Sequence, residues 1–146
     1  MANPAAQQPQ GPSEQELREL VLRTDQVRQQ LGAMEAQREY LLEVTAEARR
    51  ALGTLEHLAN APANETVLVP LGGGAYVQAT VEDPRKSIAS LGSGIHAELT
   101  AAEAATRLRN RVDNLDSAQQ ALSKDIARLS DELARSTAIL ESYYGG

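Results

Sequence analysis

Two long stretches of this sequence place apolar residues in alternating steps of three and four, and no other feature constrains the fold so strongly. Ten of the thirteen seam positions in the first stretch are apolar, as are ten of the twelve in the second. Such a repeat, kept over several heptads, is typical of a coiled coil. The first seam consists of Leu17, Leu20, Thr24, Val27, Leu31, Met34, Arg38, Leu41, Thr45, Ala48, Leu52, Leu55 and Ala59. The second seam consists of Ala105, Leu108, Val112, Leu115, Gln119, Leu122, Ile126, Leu129, Leu133, Ser136, Leu140 and Tyr143.

Each seam is preceded by residues that can start a helix. Ser13 and Glu16 form one capping box, and Thr100 and Glu103 form another. In a capping box the hydroxyl accepts a hydrogen bond from the third amide, while the glutamate reaches back to the capping amide. Pro62 predicts the end of the first helix, because proline restricts the residue before it and has no amide to donate.

The predicted helices cover residues 13–61 and 100–144 and are nearly equal in length. At 1.5 Å per residue, each is about 65 to 70 Å long. Helices of matched length with a short connector favour a long antiparallel two-helix coiled coil, with both chain termini at one tip. Residues 1–12 have nothing to bury and are expected to form a disordered tail. The predicted fold is mainly α with a small β part, in one domain over residues 13–146.

Residues 65–98 connect the helices and have the pattern of two β-hairpins. Apolar runs meet at Gly72–Gly74 and again at Gly92–Gly94, where glycine permits the positive φ of tight turns. A lone hairpin is marginal in water, and two helices that already pair with each other supply no layer to cover it. We therefore expect these strands to pair with strands of other subunits in a larger sheet or closed barrel. The residues assigned to this oligomerisation, here called the hairpin cluster, are Val67, Leu68, Val69, Leu71, Tyr76, Val77, Val81, Ile88, Leu91 and Ile95.

Composition narrows the possible functions. The chain has no Phe and no Trp, yet it is 42% apolar, which suits a narrow helical seam better than a thick core. Its net charge of −6 and its lack of a basic block argue against binding to nucleic acid or to an anionic membrane. Cysteine is absent, which excludes thiolate catalysis and is compatible with a cytoplasmic location. Neither a signal peptide nor a membrane span is expected.

Motifs that resemble catalytic or cofactor sites have simpler explanations. Residues 92–97 match a G-x-G-x-x-A pattern, but only a heptad helix follows, where a dinucleotide site needs a second parallel strand. The glycines at 72–74 lack the Lys-Ser/Thr of a phosphate loop, so both runs are interpreted as turns. His57 and His96 have no third ligand at metal-binding spacing. We therefore expect no catalytic residue, no cofactor and no metal, and a protein that is not an enzyme.

Apolar residues are more numerous at the predicted tip than a two-position seam needs. The tip cluster consists of Leu17, Leu20, Val21, Leu22, Ile139, Leu140, Tyr143 and Tyr144. Unpaired apolar side chains at an exposed end can bind other apolar chains. The same side chains could instead hold the helix ends together. The residues alone favour neither interpretation.

The connector resembles the α-class subunit of prefoldin, an archaeal and eukaryotic co-chaperone. The resemblance is carried by LVPLGGGAYV at residues 68–77, by IASLGSGI at residues 88–95, and by the acidic, alanine-rich start of the second helix. Two hairpins between the helices, in place of one, mark the α class over the β class.

The resemblance implies an ATP-independent holdase. In that family, two α-type and four β-type subunits form a hexamer whose hairpins build inter-subunit β-barrels. The coiled-coil tips hold non-native polypeptide and transfer it to a group II chaperonin, so unfolded clients and the chaperonin are the implied partners. The alternative is a structural coiled-coil oligomerisation module without client binding.

Overall fold

The structure, a computed structural model, describes residues 11–145, and the predicted disordered tail lies mostly outside them. The elements in order are α1 (Glu14–Ala59), β1 (Glu65–Gly72), β2 (Ala75–Val81), β3 (Lys86–Gly92), β4 (Ile95–Thr100) and α2 (Ala101–Tyr144). The chain divides into two compact units. The tip unit holds the described residues up to Tyr40 together with those from Gln119 onward, and the hairpin unit holds Leu41–Ala118.

Both predicted capping boxes form, and they set where the helices begin. The Ser13 amide donates to Glu16 Oε2 at 2.6 Å, and the Glu16 amide donates to Ser13 Oγ at 3.3 Å. The Thr100 amide donates to Glu103 Oε2 and the Glu103 amide to Thr100 Oγ1, both at 3.1 Å. Two otherwise unpaired amides are thereby satisfied at the first turn of each helix.

The first helix ends at Ala59, two residues before the end that the sequence pattern predicts at residue 61. The amides of Asn60 and Ala61 bond to carbonyls only three residues back, which tightens the last turn before Pro62. Asn64 follows with a φ of 61°. Asparagine tolerates this left-handed conformation, so the chain reverses there directly into β1.

The seam positions are buried or half-buried, with one exception, as the heptads predict. No position of the first seam is exposed, and in the second seam only Tyr143 is. No described helix contains a stretch that is both long and apolar enough to cross a membrane.

In the tip unit the helices run antiparallel, as one ion pair shows. Arg23 Nη2 lies 2.7 Å from Glu132 Oε1, and both residues occupy g positions of their heptads. Contacts from g to g arise in antiparallel coiled coils, and this pair fixes the register. That register places Thr24 opposite Ser136, which are 3% and 8% exposed. The Thr24 hydroxyl donates to the Leu20 carbonyl at 2.7 Å, so it is satisfied within α1.

In the hairpin unit the ion pairs beside the seam join e positions of the two helices. Arg49 bonds Asp116 at 2.6 Å, and Arg109 bonds Glu56 at 2.7 Å. Contacts from e to e also arise in antiparallel coiled coils, so the helices of the hairpin unit are antiparallel as well. Because these pairs are largely solvent-exposed, each contributes at most about 1 kcal/mol, and they act mainly on register and orientation.

The connector forms two separate two-stranded antiparallel sheets, β1–β2 and β3–β4. Each hairpin turns on two residues of positive φ, Gly73 and Gly74 in the first and Ser93 and Gly94 in the second. Positive φ at both central residues is what a type I′ turn requires. A bulge precedes each turn, after Pro70 and after Ser90, so the two hairpins repeat one design. The glycine runs are turns, as predicted.

Candidate functional site

The tip cluster separates into half-buried seam leucines and exposed residues, of which Tyr143 occupies a seam position and the other four do not. Leu17, Leu20 and Leu140 are half-buried at seam positions. The register set by the Arg23–Glu132 ion pair places Leu20 opposite Leu140. These leucines hold the helices together, and removing them would weaken the coiled coil itself.

The other five members of the tip cluster are exposed. Their exposed fractions are 37% for Val21, 65% for Leu22, 45% for Ile139, 49% for Tyr143 and 63% for Tyr144. Leu22 occupies an f position, on the side of the helix opposite the seam, where it cannot reach the partner helix. An apolar side chain there does not help to pair the helices.

Val21 and Tyr144 have a different role from Leu22. Both occupy e positions, and the register makes them partners, as Arg49 and Asp116 are in the hairpin unit. Side chains at e cover the edge of the seam. Val21 and Tyr144 can therefore close the helix ends and still present apolar surface outward.

Acidic side chains surround the exposed tip residues. Glu14 pairs with Arg18 at 3.6 Å, and Glu19 accepts a hydrogen bond from the Gln15 amide group at 3.4 Å. Hydrogen bonds from Ser13 lower the pKa of the Glu16 carboxyl, and the bond from its backbone amide has a larger effect than the bond from its hydroxyl. The last turn of α2 carries no basic side chain.

The hairpin cluster is almost entirely exposed, although Val67 and Val81 are half-buried. Leu68 and Tyr76 are 64% and 62% exposed, and Ile88 reaches 78%. The remaining members are exposed as follows: Val69 40%, Leu71 67%, Val77 46%, Leu91 44% and Ile95 61%. In a two-stranded sheet every strand is an edge, which explains how Pro70 is accommodated within β1. Open edges together with exposed apolar side chains leave these hairpins free to pair with further strands.

The corner between the hairpins is a feature that the sequence analysis missed. Pro84 is fully buried there, and the Arg85 amide donates to Asp83 Oδ1 at 3.1 Å, which lowers the pKa of Asp83. The Arg85 carbonyl then accepts from the Ala101 amide at 2.6 Å, which ties the corner to the start of α2. The Asp-Pro dipeptide is a turn signal that could have located this corner.

The two histidines lie in different elements, His57 in α1 and His96 in β4. Nε2 of His57 lies 3.0 Å from Oε1 of Glu65, a contact between the end of α1 and the start of β1. His96 lies in β4 opposite Ser90. Among residues 11–145, no group of three His, Cys, Asp or Glu side chains could hold a metal ion.

The prefoldin subunit family model matches residues 27–145. The chain belongs to the prefoldin family. It is 32% identical to the prefoldin subunit alpha of Methanococcoides burtonii over 80% of each chain. It is 30% identical to the prefoldin subunit alpha of Methanocorpusculum labreanum over 82% of each chain.

A solved structure supports the same assignment. A chain of filamentous PFD from Methanocaldococcus jannaschii is 28% identical, covers 86% of this chain with 98% of its own length, and has a TM-score of 0.53. The prefoldin family match spans the whole hairpin cluster and the α2 part of the tip cluster. It begins after Leu22 and therefore does not include the α1 part of the tip cluster.

Proposed function

We propose that this chain is the α-type subunit of a prefoldin-like hexamer, an ATP-independent holdase that captures non-native polypeptide and transfers it to a group II chaperonin. The observation that carries the proposal is the exposed apolar surface of the tip cluster, in a chain whose curated relatives are prefoldin α subunits. The proposed site of action is the cytoplasm, and no cofactor is needed.

Assembly is assigned to the hairpin cluster. Most of its side chains are exposed in the single chain, and each two-stranded sheet has an unpaired edge on both sides. Strands from several subunits can satisfy those edges and bury the apolar faces together, and a closed barrel would remove the edges altogether. The proposed partners are β-type prefoldin subunits. Native mass measurement of the full-length chain, with and without archaeal β-type subunits, tests this step, and a chain that stays monomeric in both would contradict it.

Client capture is assigned to the exposed tip residues. The exposed apolar side chains of the tip can cover the apolar segments that a non-native polypeptide exposes. A single tip offers few such side chains, so its own affinity is low. Several tips acting on one client raise the overall affinity through effective concentration.

Leu22→Ser with Tyr144→Ser tests the tip directly. We expect this double variant to lose most suppression of client aggregation in an assay without nucleotide. The matched control is Tyr40→Ser with Leu42→Ser, which removes a tyrosine and a leucine of similar exposure, 64% and 52%, from outside the tip cluster. Undiminished holdase activity in the tip variant would show that the tip assignment is wrong.

The alternative is a structural coiled-coil module, in which the tip cluster only closes the helix ends. The e-position pair of Val21 and Tyr144 favours this second function. A complex that assembles normally yet never delays the aggregation of a denatured client would support it. Transfer to a chaperonin is tested separately, by following a labelled client from the assembled complex to a purified group II chaperonin.

A further inference from the structure

We infer that the tip cluster selects apolar segments that carry lysine or arginine beside their apolar residues, in preference to neutral or acidic segments of equal hydrophobicity. This inference rests on the proposed client capture and names the client chemistry that the same surface favours. It follows from the charges, the helix end and the aromatic rings that surround the exposed apolar side chains.

The charge around the tip cluster is negative. Residues 11–22 and 137–145 contain four glutamates and one arginine, Arg18, which lies 3.6 Å from Glu14 and is balanced by it. The next arginines along the helices are Arg23, which pairs with Glu132, and Arg135. The exposed apolar residues therefore sit in a field that attracts cations and repels anions.

Two of the carboxylates are placed to contact a bound segment. Glu19 precedes Leu22 by three residues, and Glu141 precedes Tyr144 by three, so each carboxylate neighbours an exposed apolar side chain on its helix. Glu141 forms no side-chain hydrogen bond or ion pair within residues 11–145, whereas Glu16 is engaged in the capping box. A cationic side chain beside an apolar one on the client could meet both groups together.

The end of α2 adds to the same preference. Its last carbonyls carry the negative end of the helix dipole, and its last turn has no basic side chain to balance them. The start of α1, by contrast, has Glu14 and Glu16 at its positive end, and the start of α2 has Glu103. Within residues 11–145, the last turn of α1 contains His57, whereas the last turn of α2 contains no basic residue.

Two exposed aromatic rings complete the surface. Tyr143 and Tyr144 are 49% and 63% exposed. A guanidinium or ammonium group over a tyrosine ring gains a cation–π interaction, and the apolar stem of the same lysine or arginine can pack against the leucine side chain. Both interactions favour a cationic client, in addition to the long-range attraction by the acidic side chains.

The test uses the full-length chain and three fluorescent peptides that share one apolar centre. Their flanking residues are lysine in the first, glutamine in the second and glutamate in the third. Binding is measured by fluorescence anisotropy at low and at high ionic strength. We expect the lysine peptide to bind most tightly and the glutamate peptide least, with the difference shrinking as salt is added.

Glu19→Gln with Glu141→Gln should weaken binding of the lysine peptide about fivefold at low ionic strength and leave the glutamine peptide unchanged. The control, Glu43→Gln with Glu47→Gln, removes two exposed carboxylates outside the tip cluster and should change neither. Far-UV circular dichroism verifies that both variants remain helical.

The outcomes separate the inference from the proposed function. If all three peptides bind equally and binding is lost in Leu22→Ser with Tyr144→Ser, the charge preference is wrong and client capture stands. If none of the peptides binds, or if that variant binds them as before, the tip assignment itself is wrong. If the control variant weakens the lysine peptide as much as the tip variant does, the effect reflects net charge, and the inference is overturned.

Discussion

A charge placed in the hairpins should dissociate the oligomer while the helices stay folded, and Val69→Asp is the sharpest such change. Val69 pairs with Val77 across β1 and β2 and is 40% exposed in the single chain. Fully burying a valine contributes about 1.5–3 kcal/mol, so the two-fifths left exposed can add about 0.6–1.2 kcal/mol when another subunit covers it. Aspartate loses that contribution and leaves an unpaired carboxylate in the interface, which costs several kcal/mol more. The total weakens each affected interface about a thousandfold.

The mass of the complex measures this effect. Light scattering coupled to size exclusion, at low micromolar protein, should give a smaller species for Val69→Asp, with unchanged helical circular dichroism. Part of the Val69 side chain is already buried within the hairpin, so a second variant separates assembly from hairpin folding. Ile88→Asp changes a residue that is 78% exposed and should also dissociate the complex. Leu42→Asp adds the same charge on α1 and should leave the mass unchanged. A full-sized oligomer from both hairpin variants would refute the reasoning.

Further predictions concern the helices and the first hairpin turn, and they are measured by urea unfolding. Gly32→Ala and Gly53→Ala should each stabilise the chain by about 0.5–1 kcal/mol, because nothing lies within 4 Å of the added methyl group. Gly72→Ala should destabilise it despite equal space, because its φ is +98°. Thr100→Ala should cost about 1 kcal/mol by removing the hydroxyl that caps α2. Because the pKa of Glu16 is lowered in the folded chain, its ionised carboxylate stabilises the fold at pH values above the ordinary glutamate pKa. This contribution is lost as the pH falls through the folded pKa, so the difference from Glu16→Gln should shrink on acidification.

The helices, the seam and the hairpins could be predicted because their signals are local. Heptad spacing, a capping box and a glycine turn each act within a few residues, and each leaves its own pattern in the sequence. The capping box at Ser13 and Glu16 is visible in four letters and forms as expected. At the corner, the Asp-Pro dipeptide signals only a turn, whereas the hydrogen bond from the Ala101 amide to the Arg85 carbonyl joins residues far apart in the chain, and no local pattern reveals it.

The tip cluster could be located from the sequence, but its members could not be sorted. Sorting needs the register between two helices that are far apart in the chain, and heptads alone allow shifts of whole repeats. The ion pair between Arg23 and Glu132 selects one register. Only then do Leu20 and Leu140 become seam partners, and only then does Leu22 stand apart from them.

Once the register is known, the two interpretations of the tip, client binding and closure of the helix ends, can be tested at different residues. Leu22 lies at an f position and is 65% exposed, so Leu22→Ser should reduce client capture without changing the urea midpoint. Val21 covers the seam edge and is 37% exposed, so Val21→Ser should lower both the midpoint and client capture. If Leu22→Ser lowered stability and left capture intact, its side chain would be closing the helix ends, and the assignment of the f position would be wrong. The heptad therefore assigns client binding alone to Leu22 and both helix closure and client binding to Val21.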